Sequence, residues 1–392
     1  GQLGVYTNVD KNAPVLVNNS TTALPAKSVK YVALGYYHSA AITKDGSLYM
    51  WGGNGSGQLG DGTTTDRYTP VKIMDNVASV SLGGYHSAAI TKDGSLYMWG
   101  SNVNGKLGDG TTTSSRDIPV KIMDNVASVS LGSSHSAAIT KDGNLYMWGY
   151  NYYEQLGDGT TTDRYTPIKI MDNVASVSLG DCYSAAITKD SNLYMWGNNG
   201  YGKLGDGTTT KKTRPQRVAS NVQSVKLGYN HTTVISKDGG LYTWGYNYYG
   251  QLGNGTTTDS SNPIKIMNDV VSCAGGYNHT VALKKDGTVY TWGYNRYGQL
   301  GDGTTTDRTS PVAIQIYDHT NVLTSSGIKY GIIPDNGNYS FESAGEVIQV
   351  AAGYLHTAAV TKDGDLYMWG YNNYGQLGVY TNVDKNAPVL VN

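Results

Sequence analysis

The sequence predicts an all-β fold, a seven-bladed β-propeller of four-stranded antiparallel blades, and three observations carry that prediction. Seven tryptophans recur at a near-fixed period, each period breaks into four short strand-like runs separated by turn signals, and no stretch holds a helical pattern beyond a turn or two. The tryptophans are Trp51, Trp99, Trp148, Trp196, Trp244, Trp292 and Trp369, spaced 48, 49, 48, 48, 48 and 77 residues apart. Periods of this size belong to architectures whose units bury their faces only by stacking on neighbours.

The unit around Trp99 gives the elements in order. Val77 to Leu82 alternates into a glycine, and His86 to Thr91 follows a three-residue turn. Lys92-Asp93-Gly94 is a hairpin signal, Leu96 to Trp99 a third strand, and Pro119 to Met123 a fourth beyond a long Gly/Thr loop. Leu96 and Met98 on one face and Tyr97 and Trp99 on the other fit a sheet packed between two others. Residues 1–392 read as one propeller domain with an insertion at about 317–345. Gly1 to Asn18 is repeated letter for letter as Gly375 to Asn392. Either copy could supply the outer strand of the last blade, which would leave the other for strand exchange with a second molecule.

Composition removes several functions. With 29 Lys+Arg against 30 Asp+Glu there is no basic field to gather phosphates, so nucleic acid is not expected as a partner. Apolar runs fall far short of the about 20 residues that span a bilayer, so no membrane insertion is expected. Cys182 and Cys273 fall in units 4 and 6 and read as free thiols.

Gly83-Gly-Tyr-His-Ser-Ala-Ala-Ile, Lys92-Asp-Gly94, Leu96-Tyr-Met-Trp-Gly100 and a Gly-rich loop ending in Pro119-Val together resemble the regulator of chromosome condensation repeat. The resemblance recurs seven times and implies a seven-bladed propeller. It does not imply one activity, because that family includes a nucleotide exchange factor, a plant light receptor, ubiquitin-ligase modules and a secreted bacterial β-lactamase inhibitor. A bacterial-type member is expected. The resemblance to bacterial propellers, with the Thr/Asn/Tyr-rich surface and near-identical repeats, points to a secreted or cell-surface protein.

His38, His86, His135, His231, His279 and His356 hold one position of the repeat, which Tyr183 takes in the fourth unit. They are expected to bond the preceding turn rather than a metal, since equivalent positions in successive blades lie too far apart to share an ion. Gly60-Asp-Gly-Thr-Thr-Thr-Asp66 lacks the alternating ligands of a calcium loop and reads as Asx and Thr turn chemistry. No nucleophile elbow, phosphate loop or paired carboxylates stand outside the framework, so neither enzymatic activity nor a cofactor is expected.

Strand order puts the first and third connections of every blade on one face. That face collects Tyr36, Tyr37, Tyr85, Tyr183, Tyr229, Tyr277 and Tyr354 from first connections and thirteen more from third ones, 20 of the 33 tyrosines. Lys-Asp-Gly turns dominate the opposite face. Tyrosine offers large contact area at low entropic cost. The framework around Trp-Gly and Gln-Leu-Gly repeats while the residues between vary, as contact residues would. A non-enzymatic binding scaffold is therefore expected, with a protein as first partner and a glycan, in a carbohydrate-binding module or adhesin, as the alternative. The expected contacts are Tyr150, Tyr152, Tyr153, Tyr201, Tyr246, Tyr248, Tyr249, Tyr294, Arg296, Tyr297, Tyr371 and Tyr374, concentrated in blades 3 and 5 to 7. Tyr68 and Tyr165 are also expected in third connections on this face.

Overall fold

Hydrophobic alternation and hairpin turns at a 48-residue spacing leave the chain one economical solution, a ring of small sheets. A computed structural model describes residues 24–112, 115–316 and 345–391. Blade 1 consists of β1 (Val29–Leu34), β2 (His38–Thr43), β3 (Leu48–Gly52) and β4 (Arg67–Met74), paired in sequence order and antiparallel. Six more sheets of the same order follow. In the unit around Trp99 the first two strands span Val77–Leu82 and His86–Thr91, the third extends to Gly100, and the fourth begins at Arg116, three residues earlier than Pro119. None of the helices is long and apolar enough to cross a membrane; this holds for the described residues and leaves strands aside.

The strands equivalent to β1 line the central channel, and the outer strands equivalent to β4 are the most solvated. The core is not central. It is divided among seven apolar layers, each between two adjacent blades, as where Ala40, Ile42, Leu48, Met50 and Leu59 of blade 1 meet Val77, Val80, Ala89 and Trp99 of blade 2. Six tryptophans are fully buried and Trp244 nearly so. This explains why both faces of each third strand are apolar.

The layer between blades 7 and 1 closes the ring. The outer strand of blade 7 is Lys385–Leu390, which pairs with Leu366–Gly370, so the C-terminal copy of the duplicated segment completes that blade. Its identical partner, 1–18, lies outside the described residues, as do 317–344 and with them nearly all of the expected insertion; strand exchange through the first copy falls there too.

Candidate partner-binding face

Each third connection is knotted by an asparagine. Asn54 is fully buried; its Oδ1 accepts from Leu59 N (2.9 Å), and its Nδ2 donates to Asp61 Oδ1 (3.1 Å) and to the Thr63 and Thr65 carbonyls. Asp61 in turn accepts from the Thr63 hydroxyl (2.7 Å) and pairs with Arg67 at 2.6 Å. Copies of this arrangement in blades 2, 3 and 6 give the Asp-Gly-Thr loop its structural role. The variable residues stand on this fixed base.

The loop also grips the next blade. The Gln58 carbonyl accepts from Trp99 Nε1 (2.9 Å) and from the Ser87 hydroxyl (2.7 Å). At Gly60, φ is +76° and a Cβ would stand 2.7 Å from Trp99 Nε1, so only glycine lets the loop lie on the indole. Because Ser87 spends its proton on Gln58, its Oγ accepts from His38 Nε2 at 3.0 Å. The histidines thus bond the following blade, not their own preceding turn as the sequence suggested. His86, His135, His231, His279 and His356 repeat the contact, and His356 reaches Ser39 at 3.2 Å across the closure. Tyr183, the substitute, instead donates to the His231 carbonyl (2.6 Å).

That correction extends to the tyrosine face. Tyr183 is fully buried in the second strand of blade 4, and Tyr68 and Tyr165 sit in outer strands packed on Gly375 and Gly105 of the neighbouring blade. The other first- and third-connection tyrosines do share one face: Gly53 N bonds the Tyr37 carbonyl (2.7 Å), and the Tyr37 and Tyr374 rings lie 5.0 Å apart.

The structure orders most of the expected contact residues into one aromatic arc. From Tyr201 it runs to Tyr246 (4.7 Å), Tyr248 (6.4 Å) and Tyr249 (4.9 Å), then to Tyr294 (4.7 Å) and Tyr297 (6.2 Å), and finally to Tyr371 (5.0 Å) and Tyr374 (6.2 Å). Arg296 is exposed beside Tyr294, whose hydroxyl it approaches. Tyr150, Tyr152 and Tyr153 form a separate cluster in blade 3. Tyr201 of blade 4, rather than this trio, continues the arc of blades 5 to 7. Tyr152 and Tyr248 are 63% and 64% exposed, far too open to be explained by packing on the next blade.

The arc ends in the channel mouth, which sequence reasoning did not single out. Tyr37 touches Tyr36, Tyr85 and Tyr354, and Tyr354 touches Tyr277 at 4.2 Å. Tyr36 and Tyr229, from blades 1 and 5, approach to 6.5 Å across the axis, and the Tyr36 hydroxyl bonds that of Ser133 in blade 3. Burial and the neighbouring Tyr85 push the Tyr37 phenol up to about 12. A signal was available: the residue after the strand-end glycine reads Tyr36, Gly84, Ser133, Asp181, Tyr229, Tyr277 and Tyr354 around the ring, a varying column in a constant framework.

The sequence model of the RCC1-like domain matches residues 1–267 and, in a second register, 75–392. The chain belongs to the RCC1-like domain family. Solved structures share the fold: human WBSCR16 with a TM-score of 0.75 at 23% identity, over 88% of this chain and 94% of that one, and yeast RCC1 (Prp20) bound to Kap60 with 0.71 at 19%, over 98% and 90%. Identities this low speak for the fold alone. Among curated relatives, the Dictyostelium discoideum Ras guanine nucleotide exchange factor C is 52% identical over 48 residues, 12% of this chain and 3% of its own length. The Arabidopsis thaliana ultraviolet-B receptor UVR8 is 49% identical over 45 residues, 12% of this chain and 10% of its own. The matched segments thus span a tenth or less of those relatives.

Proposed function

We propose that this RCC1-like propeller is a non-enzymatic scaffold that binds a protein partner on its tyrosine-lined face. The observation that carries the reading is the unbroken arc from Tyr201 to Tyr374, held on hydrogen-bonded loops and partly open to solvent. Preorganised aromatic side chains lose little entropy on binding and dominate protein interfaces. Two structurally similar propellers have protein partners, yeast RCC1 (Prp20) being bound to Kap60 and Prp20p of Saccharomyces cerevisiae having binding properties to Gsp1p and histones, which supports a protein ligand here.

The test is affinity capture of a partner, followed by Tyr248→Ala, Tyr297→Ala and, on the Lys-Asp-Gly face, Lys237→Ala. A central anchor is worth about 2 kcal/mol, roughly thirtyfold in affinity. Loss in the tyrosine variants with an unchanged lysine variant supports the reading; the reverse pattern puts the site on the other face.

A glycan is the second reading, favoured by a cleft of about 540 Å³ between blades 3 and 4, lined by Tyr152, Tyr153, Asn198 and Lys211. Its size falls within the about 300–1,000 Å³ of small-ligand sites, and its groups suit sugar stacking and hydroxyl bonding. Saturable binding on a glycan array, competed by the free sugar, would support it.

A further inference from the structure

The channel mouth differs from the arc in carrying a carboxylate on one side. Tyr36, Tyr229, Tyr277 and Tyr354 crowd over it from blades 1, 5, 6 and 7, and Asp181 faces them from blade 4. Beneath them lies a cavity of about 100 Å³ walled by the leucines and glycines that end the innermost strands, and Asp181 is the one charged residue among its described lining residues. The Asp181 carboxylate accepts from the Cys182 thiol (3.3 Å) and the Tyr229 hydroxyl, and its charge helps hold the Tyr36 and Tyr229 phenols above their usual range, after burial. Among the described residues no lysine or arginine nitrogen pairs with it. The nearby Lys203 ammonium is engaged elsewhere, by Asn230 Oδ1 at 2.8 Å and over the Tyr183 ring at 4.8 Å.

Blade 4 departs from the repeat at consecutive positions, Asp181, Cys182 and Tyr183, all at this end of the ring. Framework packing demands none of this, since blade 3 manages with Ser133, Ser134 and His135.

We propose that the mouth receives one cationic side chain, the guanidinium or ammonium of an arginine or lysine that a bound protein projects along the ring axis. This rests on the reading of the face as a protein-binding surface. The cavity is well below the about 300 Å³ at which small-molecule sites begin, so it takes one group rather than a whole ligand. Aromatic faces attract a cation, and the carboxylate supplies its counter-charge. An anion would be repelled, and an apolar group would bury the carboxylate without a paired counter-charge, which is costly.

The experiment is an NMR titration of the full chain with Nα-acetyl-arginine amide, and with Nα-acetyl-citrulline amide as the neutral match. Saturable shifts at the mouth glycines are expected with the arginine compound, at least about tenfold weaker with the citrulline one. Asp181→Asn should abolish the difference, and Lys237→Ala should preserve it. Asp181→Ser, which installs the residue blade 3 uses, serves where the asparagine variant does not fold. Equal binding of both compounds, no saturable shift, or an unchanged preference in the Asp181 variant overturns the inference. The partner-capture experiment is independent. Tyrosine-dependent capture without a cation preference removes this site and keeps the protein-binding reading; a cation preference without any captured partner does the opposite.

Discussion

Glu154 occupies a place that belongs to glycine. In the other six third connections the residue is Gly57, Gly105, Gly202, Gly250, Gly298 or Gly375, with φ between +70° and +79°, and Glu154 adopts +65°. A side chain there costs about 1–2 kcal/mol. It is only 7% exposed; one oxygen meets Lys211 Nζ at 2.8 Å, and the other has no partner among the described residues. Lys211 is half-exposed and would be rehydrated if the glutamate were lost. Glu154→Gly is therefore expected to raise stability by about 1 kcal/mol, read as a higher urea midpoint at unchanged slope. A lower midpoint would show that the ion pair outweighs the strain. At this scale the sequence was informative about identity and poor about placement. Tyr248 and Tyr297 are in the third connections where strand order put them, but Tyr183 and Tyr68 looked like loop residues and are a buried strand residue and an outer-strand residue. Local patterning gives direction along a strand; whether a ring faces solvent or the next blade depends on a neighbour 48 residues away.

Among elements, the hydrogen-bonded joint between blades is the unit that repeats. One loop carbonyl accepts a tryptophan N–H and a hydroxyl from the next blade, while a histidine crosses to that hydroxyl. The four strands of a blade were legible from hairpin spacing, because those contacts are local. The joint was not, because its partners come from different repeats, and a histidine beside a turn looks the same whichever way it bonds. At the closure the joint depends on the C-terminal segment: the Gln376 carbonyl accepts from Trp51 Nε1 (2.9 Å) and Ser39 Oγ (2.7 Å), and Leu377 is fully buried against blade 1. Leu377→Ala is expected to cost about 3 kcal/mol through lost burial and a cavity. Leu3, its identical counterpart, is the control. If thermal melting responds to Leu3→Ala and ignores Leu377→Ala, the N-terminal copy closes the ring instead.

Over the whole molecule these joints add up to an acid sensitivity. Burial lowers the imidazoles of His38, His135, His279 and His356 from 6.5 to about 3 and that of His231 to about 4, and lowers His86 well below 6.5. The geometry agrees: each Nε2 faces a hydroxyl that has already given its proton away, and each Nδ1 is buried without a partner among the described residues, so a second proton would find no acceptor there. The folded state thus refuses protons that the unfolded chain takes up below pH 6.5. Stability is fully present above that value and falls as pH drops toward 3 to 4, the sign required when the unfolded state binds more protons. Six histidines with an unfolded value of 6.5 amount to roughly 6 kcal/mol between pH 6.5 and 5.5, and to roughly 8 kcal/mol for each further pH unit once the unfolded chain is fully protonated, comparable to the about 5–15 kcal/mol that holds a typical protein folded. Asp61 and its counterparts titrate lower, hydrogen bonds from Thr63 and Arg67 outweighing burial to hold Asp61 below 3.8, so their contribution is lost later. Urea midpoints measured from pH 8 to pH 4 are expected to fall steeply from about 6 downward, with an uptake on unfolding approaching six protons per chain. A midpoint that stays level to pH 4.5 would mean that the six imidazoles are charged in the folded ring, and the neutral hydrogen-bonded joint would have to be abandoned.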